Sequence, residues 1–333
     1  MSEKIVVIGS NSFSGASFVA HALANGASVL ATSRSPEPIP AFLPYRWNET
    51  PPDPNRFRFE QLDLNHDTDR IADAVEAFRP DFVVNFAAQS MVAESWLHPD
   101  HWYQTNVVAN VRLHERLRRF DFIRRYVHVS TPEVYGSCSG NVTESAPYNP
   151  STPYAASRAA CDLHLMTFFK NYKFPVVFTR AANVFGPGQQ LYRIIPRTAL
   201  YVLTGRQLQL HGGGHSVRSF IHIRDVAEGT LRIARQGNPG EVYHLSTRVN
   251  HSIRQVVEIV CRKLRADFSK VVEIVGDRPG KDAAYLLDST KARQTLAWND
   301  SIPFEQGVDE TIHWVQQHLD VLRNQPFDYI HKP

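Results

Sequence analysis

The run Lys4-Ile5-Val6-Val7-Ile8, followed at once by Gly9-Ser10-Asn11-Ser12-Phe13-Ser14-Gly15 and an amphipathic stretch to Asn25, most constrains what this chain can fold into. An unbroken apolar run of this length reads as a strand buried on both faces, the kind found inside a parallel sheet. A small-residue turn between such a strand and a helix aims backbone N–H groups and the helix N-terminus at one point, which suits a pyrophosphate. The spacing is that of a G-x-x-G-x-x-G loop with Ser12 at the middle position, so one close backbone approach is exchanged for a small hydroxyl. Gly9, Ser12, Phe13 and Gly15 are therefore candidates for holding a dinucleotide.

The same alternation continues down the chain. Val29–Thr32, Phe57–Leu62, Phe82–Phe86, Tyr126–Ser130 and Val176–Arg180 each read as a strand, and Thr68–Phe78 reads as a helix. Strands alternating with helices predict an α/β fold with a doubly wound parallel sheet of the Rossmann type. The second strand ends in Ser33-Arg34-Ser35, where an NAD site offers a carboxylate to the ribose 2′-hydroxyl. A guanidinium between two hydroxyls suits a 2′-phosphate instead, so NADP is the expected cofactor and NAD the alternative. Asp63 and Leu64 follow the third strand and are expected near the adenine, while Ala87 and Ala88 follow the fourth and are expected beside the dinucleotide. From about Phe185 the alternation is broken by Pro187, Gly188, Pro196, Gly205 and the run His211-Gly212-Gly213-Gly214-His215. Residues 1–185 are thus read as the dinucleotide-binding domain, with 216–250 returning to it. Residues 186–215 and 251–333 are read mainly as a smaller C-terminal substrate-binding lobe, and Pro36 to Pro54 as a long surface loop.

Composition narrows the function classes. A chain of 333 residues with 43% hydrophobic content can bury a large core. With 36 basic and 33 acidic residues the net charge is +3, so nothing selects nucleic acid or an anionic membrane as partner. Cys138, Cys161 and Cys261 are too far apart for a zinc knuckle and too few for a disulfide framework. His211 and His215 lack a third ligand at suitable spacing, so no metal is expected. The N-terminus has no signal-peptide layout, and no apolar run reaches the roughly 18 residues of a bilayer span, so a soluble cytoplasmic protein is expected.

Two further segments carry the chemistry. Ser130-Thr131-Pro132-Glu133-Val134-Tyr135-Gly136 and Ser151-Thr152-Pro153-Tyr154-Ala155-Ala156-Ser157-Arg158 bring a hydroxyl, a carboxylate, a phenol and a cation toward one cleft. Together with the Gly9 loop, Asn85–Ser90, Arg180–Gln189, Arg218–Val226 and Asp277–Asp282, they resemble the extended short-chain dehydrogenase/reductase superfamily over almost the full length. Within it the chain is most similar to the nucleotide-sugar 4,6-dehydratases. The resemblance implies oxidation of the sugar at C4, loss of water across C5 and C6, and return of the stored hydride to C6. It assigns Tyr154 as base for the C4 hydroxyl, Thr131 as its hydrogen-bonding partner, Arg158 as the cation beside it, and Glu133 as base for the C5 proton. Tyr154 and Arg158 also face the cofactor in this assignment. A nucleotide-diphosphate sugar would be held by Gln89, Ser90, Asn183, Arg218 and Arg278. The helical stretches 107–118 and 156–169 imply a homodimer joined through a four-helix contact.

The chain departs from the family pattern at two positions. Pro132 stands where dehydratases of thymidine-linked sugars have an acidic Asp, and GDP-mannose dehydratases a serine; Arg158 replaces the usual lysine. GDP, UDP, CDP and dTDP sugars all remain compatible. Glu133 counts against a C4-epimerase, and the Asp277–Asp282 pattern against a uronic acid decarboxylase. Arg34 leaves room for a ketosugar reductase, and Ser12 with Arg158 for a catalytically impaired nucleotide-binding protein.

Overall fold

Each apolar run pairs side by side with another. The computed structural model describes residues 2–48, 50–138, 140–276 and 286–333. In chain order its strands begin β1 (Lys4–Ile8), β2 (Ser28–Ser33), β3 (Phe57–Gln61), β4 (Phe82–Asn85), β5 (Arg125–Val129), β6 (Asn141–Val142), β7 (Val176–Ala181), β8 (Asn183–Phe185), β9 (Leu208–His211), β10 (Val217–His222) and β11 (Val242–Leu245). The main sheet has seven strands in the order β11-β7-β5-β4-β1-β2-β3. Every pairing in it is parallel. Helices α1 (Phe13–Ala24), α2 (Thr68–Phe78), α3 (Pro99–Tyr103), α4 (Asn110–Leu117), α5 (Pro153–Tyr172), α6 (Ile194–Thr204), α7 (Ile223–Gln236) and α8 (Ile253–Lys263) connect and cover the strands.

Because successive strand residues point to opposite faces, the sheet feeds two cores. Val6, Ile8, Leu30 and Val83 pack with residues of α2, α4 and α5 on one side. Ile5, Val7, Val29, Val84, Val127 and Val177 pack with α1 and α7 on the other. A third apolar cluster, including Phe185, Ile195, Phe220, Val256, Val308 and Trp314, forms the smaller lobe from α6, α8 and the helix Phe304–Gln317.

Two features differ from the sequence reading. The short strand β11 closes the sheet against β7, although Val242-Tyr243-His244-Leu245 has too little apolar periodicity to announce a strand. The segment Pro36 to Pro54 is not wholly superficial. Prolines start two short 3₁₀ turns, Pro40–Phe42 and Pro44–Arg46, which turn Ala41, Leu43 and Tyr45 inward to burial. Among the described residues no helix is long and apolar enough to cross a membrane.

The sheet end of α5 holds a charged core. Asp162 is fully buried and accepts hydrogen bonds from Ser130 Oγ at 2.7 Å and from Arg180 Nη2 at 2.7 Å. Arg180 in turn lies between the rings of Tyr135 and Tyr148, at 4.6 and 5.0 Å from their centroids. A buried cation without its carboxylate is costly, because water cannot replace the lost partner. Asp162→Ala is therefore expected to destabilise the fold by roughly 3–5 kcal/mol, read as a lower urea midpoint, while a substitution of exposed Asp320 leaves the midpoint unchanged.

Candidate active site

The turn after β1 is shaped by space as much as by charge. Gly9 has φ +82°, and a Cβ there would lie 2.6 Å from the backbone nitrogen of Ala87, so no side chain fits. A Cβ at Gly15 would lie 2.3 Å from the Gly9 carbonyl oxygen. Ser12, at the middle position of the loop, is the N-cap of α1: its Oγ accepts from Gly15 N at 3.1 Å and donates to the Gly9 carbonyl at 2.8 Å. The hydroxyl thus closes the turn that a glycine leaves open.

A cleft of about 550 Å³ lies over this turn, at the carboxyl ends of β1, β2 and β4. Gly9, Ser12, Ser33, Arg34, Ser35, Asp63, Leu64, Ala87 and Ala88 all line it. The geometry fits a dinucleotide: a glycine cradle that a Cβ would fill, a helix N-terminus, and hydroxyls with a guanidinium at one end. Phe13 does not reach the cleft; it is buried in the core on the α1 side of the sheet. Gly15 supports the turn from beneath rather than forming the wall, and Tyr154 and Arg158 lie off the wall as well.

Several wall residues carry no local sequence signal. Glu37 brings a carboxylate to the Arg34 end, and Arg46 pairs with it at 2.8 Å while Tyr45 donates to it at 2.8 Å. Lys332, far away in sequence, lines the same cleft. Gln89 was expected to meet the sugar, but its Nε2 donates to the Lys332 carbonyl at 2.6 Å on the cleft wall. The backbone of Gln89 is held on both sides by Asn106, which accepts from Gln89 N at 2.8 Å and donates to Gln89 O at 3.0 Å. Asn106 sits in a π-helical turn, Gln104–Ala109, and also donates to Ser157 Oγ at 2.9 Å, so it ties the cleft to α5.

The hydroxyl, carboxylate and phenol do converge. Thr131 caps a 3₁₀ turn, Pro132–Tyr135, its Oγ1 accepting from Glu133 N at 3.3 Å. Pro132 occupies the first position of that turn, where its missing N–H costs nothing. Thr152 and Pro153 start α5 in the same way, with Ala155 N donating to Thr152 Oγ1 at 3.1 Å, which places Tyr154 in the first turn. The Tyr154 hydroxyl, almost fully buried, is hydrogen-bonded with the Thr131 side chain. Burial raises the Tyr154 pKa and the Glu133 charge raises it further, while Arg158, the Thr131 hydrogen bond and Arg193 pull it down. Arg193 immediately precedes α6 and is a site cation that the sequence reading overlooked.

Arg158 points into the charged core. Its Nη2 donates to the Val129 carbonyl and to His128 Nε2, the latter at 3.1 Å, and its buried Nη1 has no protein partner among the described residues. His128 is held neutral, its pKa pushed well down by burial and then by Arg158 and Arg180. Asn183 and Arg218 stand on the neighbouring strands β8 and β10 of the smaller lobe, and Ser90 is exposed just beyond Gln89. Arg278 lies outside the described residues, as does the whole Asp277–Asp282 pattern.

Known proteins are similar to this chain along most of its length. A probable dTDP-glucose 4,6-dehydratase of Sinorhizobium fredii is 32% identical, covering 93% of this chain and 92% of its own length. The human dTDP-D-glucose 4,6-dehydratase is 31% identical, covering 83% of this chain and 80% of its own. The crystal structure of the dTDP-glucose 4,6-dehydratase of Streptomyces venezuelae, with NAD and TYD bound, superposes with a TM-score of 0.86 at 31% identity over 95% of this chain and 98% of that one. A match to the GDP-mannose 4,6 dehydratase family extends over residues 6–311, and this chain belongs to that family.

Proposed function

We propose that this protein is a nucleotide-sugar 4,6-dehydratase, converting a nucleoside-diphosphate hexose to its 4-keto-6-deoxy form. The observation that carries the reading is the hydrogen-bonded Thr131–Tyr154 pair with the Glu133 charge acting on the same phenol. The relatives named above support the substrate class. When bound, a nicotinamide dinucleotide supplies the hydride acceptor for C4 and returns that hydride to C6. Gly9, Ser12 and the N-terminus of α1 would hold its pyrophosphate, and Asp63, Leu64, Ala87 and Ala88 its flanks.

The protein's own groups then divide the proton transfers. Tyr154 takes the C4 hydroxyl proton, with Thr131 bonded to the same oxygen and the buried Arg158 favouring the phenolate. Glu133 removes the C5 proton once the C4 ketone has made it acidic and passes it to the departing C6 hydroxyl, which leaves as water. As hydride returns to C6, C5 takes up a proton from solvent and Tyr154 gives its own proton back to solvent. Pro132 offers no proton, which leaves one carboxylate for both transfers. Asn183 and Arg218, with Arg278 as the sequence pattern implies, would bind the diphosphate, and exposed Ser90 the sugar. Apolar side chains left exposed near α3 and on α5, Trp96, Leu97, Tyr103, Leu163 and Tyr172, support a homodimer through the helices around 107–118 and 156–169. A cytoplasmic location goes with this substrate.

NADP is the proposed cofactor, because Ser33, Arg34 and Ser35 all line the cleft and Glu37 is neutralised by Arg46. NAD is the second reading, favoured by the NAD in the S. venezuelae structure. Arg34→Ala is expected to weaken NADP binding by about tenfold or more, with NAD affinity changed far less; calorimetric titration of both cofactors checks this.

The reaction itself is tested by mass spectrometry of dTDP-glucose, GDP-mannose and UDP- and CDP-hexoses incubated with the protein in deuterated water. Loss of water, deuterium gained at C5 and no net cofactor consumption is the expected result. Loss of carbon dioxide, or an isomer of unchanged mass, overturns it. Glu133→Gln is expected to keep C4 oxidation, seen as single-turnover absorbance of the reduced cofactor, while water loss falls by about 10²–10⁴-fold. The same variant gives the sign of the pH dependence. The Glu133 anion raises the Tyr154 pKa, so removing it should move the rise of the oxidation rate with pH to lower pH.

A further inference from the structure

The segment Tyr329–Lys332 leaves the smaller lobe and crosses to the dinucleotide cleft. At its start the Tyr329 ring meets Tyr192 edge-on, 5.7 Å between centroids. His331 then enters a stack of flat rings, with centroids 5.1 Å from His101, 5.3 Å from His98 and 5.1 Å from the fully buried Trp102. Its Nε2 is 2.8 Å from His101 Nδ1. The Lys332 carbonyl accepts from Gln89 Nε2 at 2.6 Å and from Arg34 Nη1 at 3.1 Å. Gln89 follows β4 and Arg34 follows β2, and β1 lies between those strands. One carbonyl therefore bridges the mouth of the crevice above the Gly9 turn.

An ordered segment with exposed residues loses conformational entropy that only specific contacts can offset, and here the contacts end on two residues of the cleft wall. We propose that Tyr329–Lys332 is a strap that closes the dinucleotide cleft and retains the cofactor through successive turnovers. This rests on the reading of the cleft as a nicotinamide dinucleotide site. Retention fits a reaction in which the hydride leaves the substrate and returns to it, since cofactor lost between the two transfers would strand the keto-enone. The strap engages Arg34 through Nη1, leaving its Nε and Nη2 edge for a 2′-phosphate.

The ring stack also has a sign with pH. Burial lowers the His331 pKa, and the charges of His101, His98 and Arg34 lower it further, against Glu94. Asp100 faces His101 at 3.8 Å, and Tyr329 Oη lies 3.4 Å from His331 Nδ1. A docked pKa below the released one means that docking is complete above the ordinary histidine range and weakens as pH falls through it.

The test measures release of NADPH from the holoenzyme, by its fluorescence after mixing with excess NADP. The proteins compared are the wild type, His331→Ala, Tyr329→Ala and the double variant. Release should accelerate by about tenfold or more in the double variant, with kcat under saturating added cofactor close to the wild-type value. Wild-type release should also speed up on acidification, and this acceleration should shrink in His331→Ala. Unchanged release in all variants overturns the strap, as does slower release or tighter binding on its disruption, the behaviour of an inhibitory plug. Wild-type urea midpoints in the variants confirm that folding is intact, and either single variant suffices if the double does not fold. A wild type that binds no nicotinamide dinucleotide overturns the reading of the cleft instead, which separates the two failures.

Discussion

The close approach of Gly9 to Ala87 is the contact on which the site depends. In an all-parallel sheet every strand delivers its following loop to the same edge, and crossovers leaving β1 and β4 in opposite directions open a crevice between them. The crevice can be narrow and lined by backbone only because position 9 has no Cβ to collide with Ala87 N. From that point outward the order of strands decides which residues meet: Arg34 from β2 and Asp63 after β3 on one side, Gln89 and the Thr131 turn from β4 and β5 on the other. The adenosine and reacting ends of a dinucleotide cleft are thus already assigned by topology before any side chain is chosen.

What was legible in the sequence is what is local. Buried parallel strands write themselves as apolar runs, and β1, β2, β3, β4, β5 and β7 lie within a residue or two of where those runs stand. The loop residues Gly9 and Ser12 and the wall residues from Ser33 to Ala88 follow directly from strand ends. The remaining contributors are brought in by tertiary contact. Lys332 reaches Gln89 across most of the chain, Glu37 arrives because the prolines that follow it fold that segment back onto α1, and Asn106 acts through a π-helical turn that no periodicity predicts. The side chain of Phe13 turns the opposite way: its position in the loop suggests the ligand, yet its apolar ring packs in the core and only its backbone, at the start of α1, remains at the turn.

Arg158 is intelligible once the core beneath it is considered. A guanidinium needs acceptors in several directions, and the Val129 carbonyl and the neutral His128 provide two of them. The neighbouring Asp162 is already shared with Arg180 and Ser130, so the region carries two buried cations against one buried carboxylate. Of these charges Arg158 acts on Tyr154, pulling its pKa down against the effect of burial and of Glu133. Arg158 therefore carries a positive charge held in a fixed buried network, bonded through one nitrogen to Val129 and His128.

Pro132 and Glu133 are best understood as one device. Proline at the head of the 3₁₀ turn fixes φ and carries no group that can give or take a proton, so Glu133 is the carboxylate of this turn. The remaining carboxylate stands close enough to Tyr154 to raise its proton affinity. In the proposed mechanism the two anions repel, which raises the proton affinity of Tyr154 as the base for the C4 hydroxyl. Proton uptake by Tyr154 ends that repulsion, so the carboxylate next meets a neutral phenol and an acidified C5 hydrogen. Under that mechanism the coupling would give the two proton transfers an order: the phenol accepts first and the carboxylate second, the sequence that elimination from a 4-keto sugar demands.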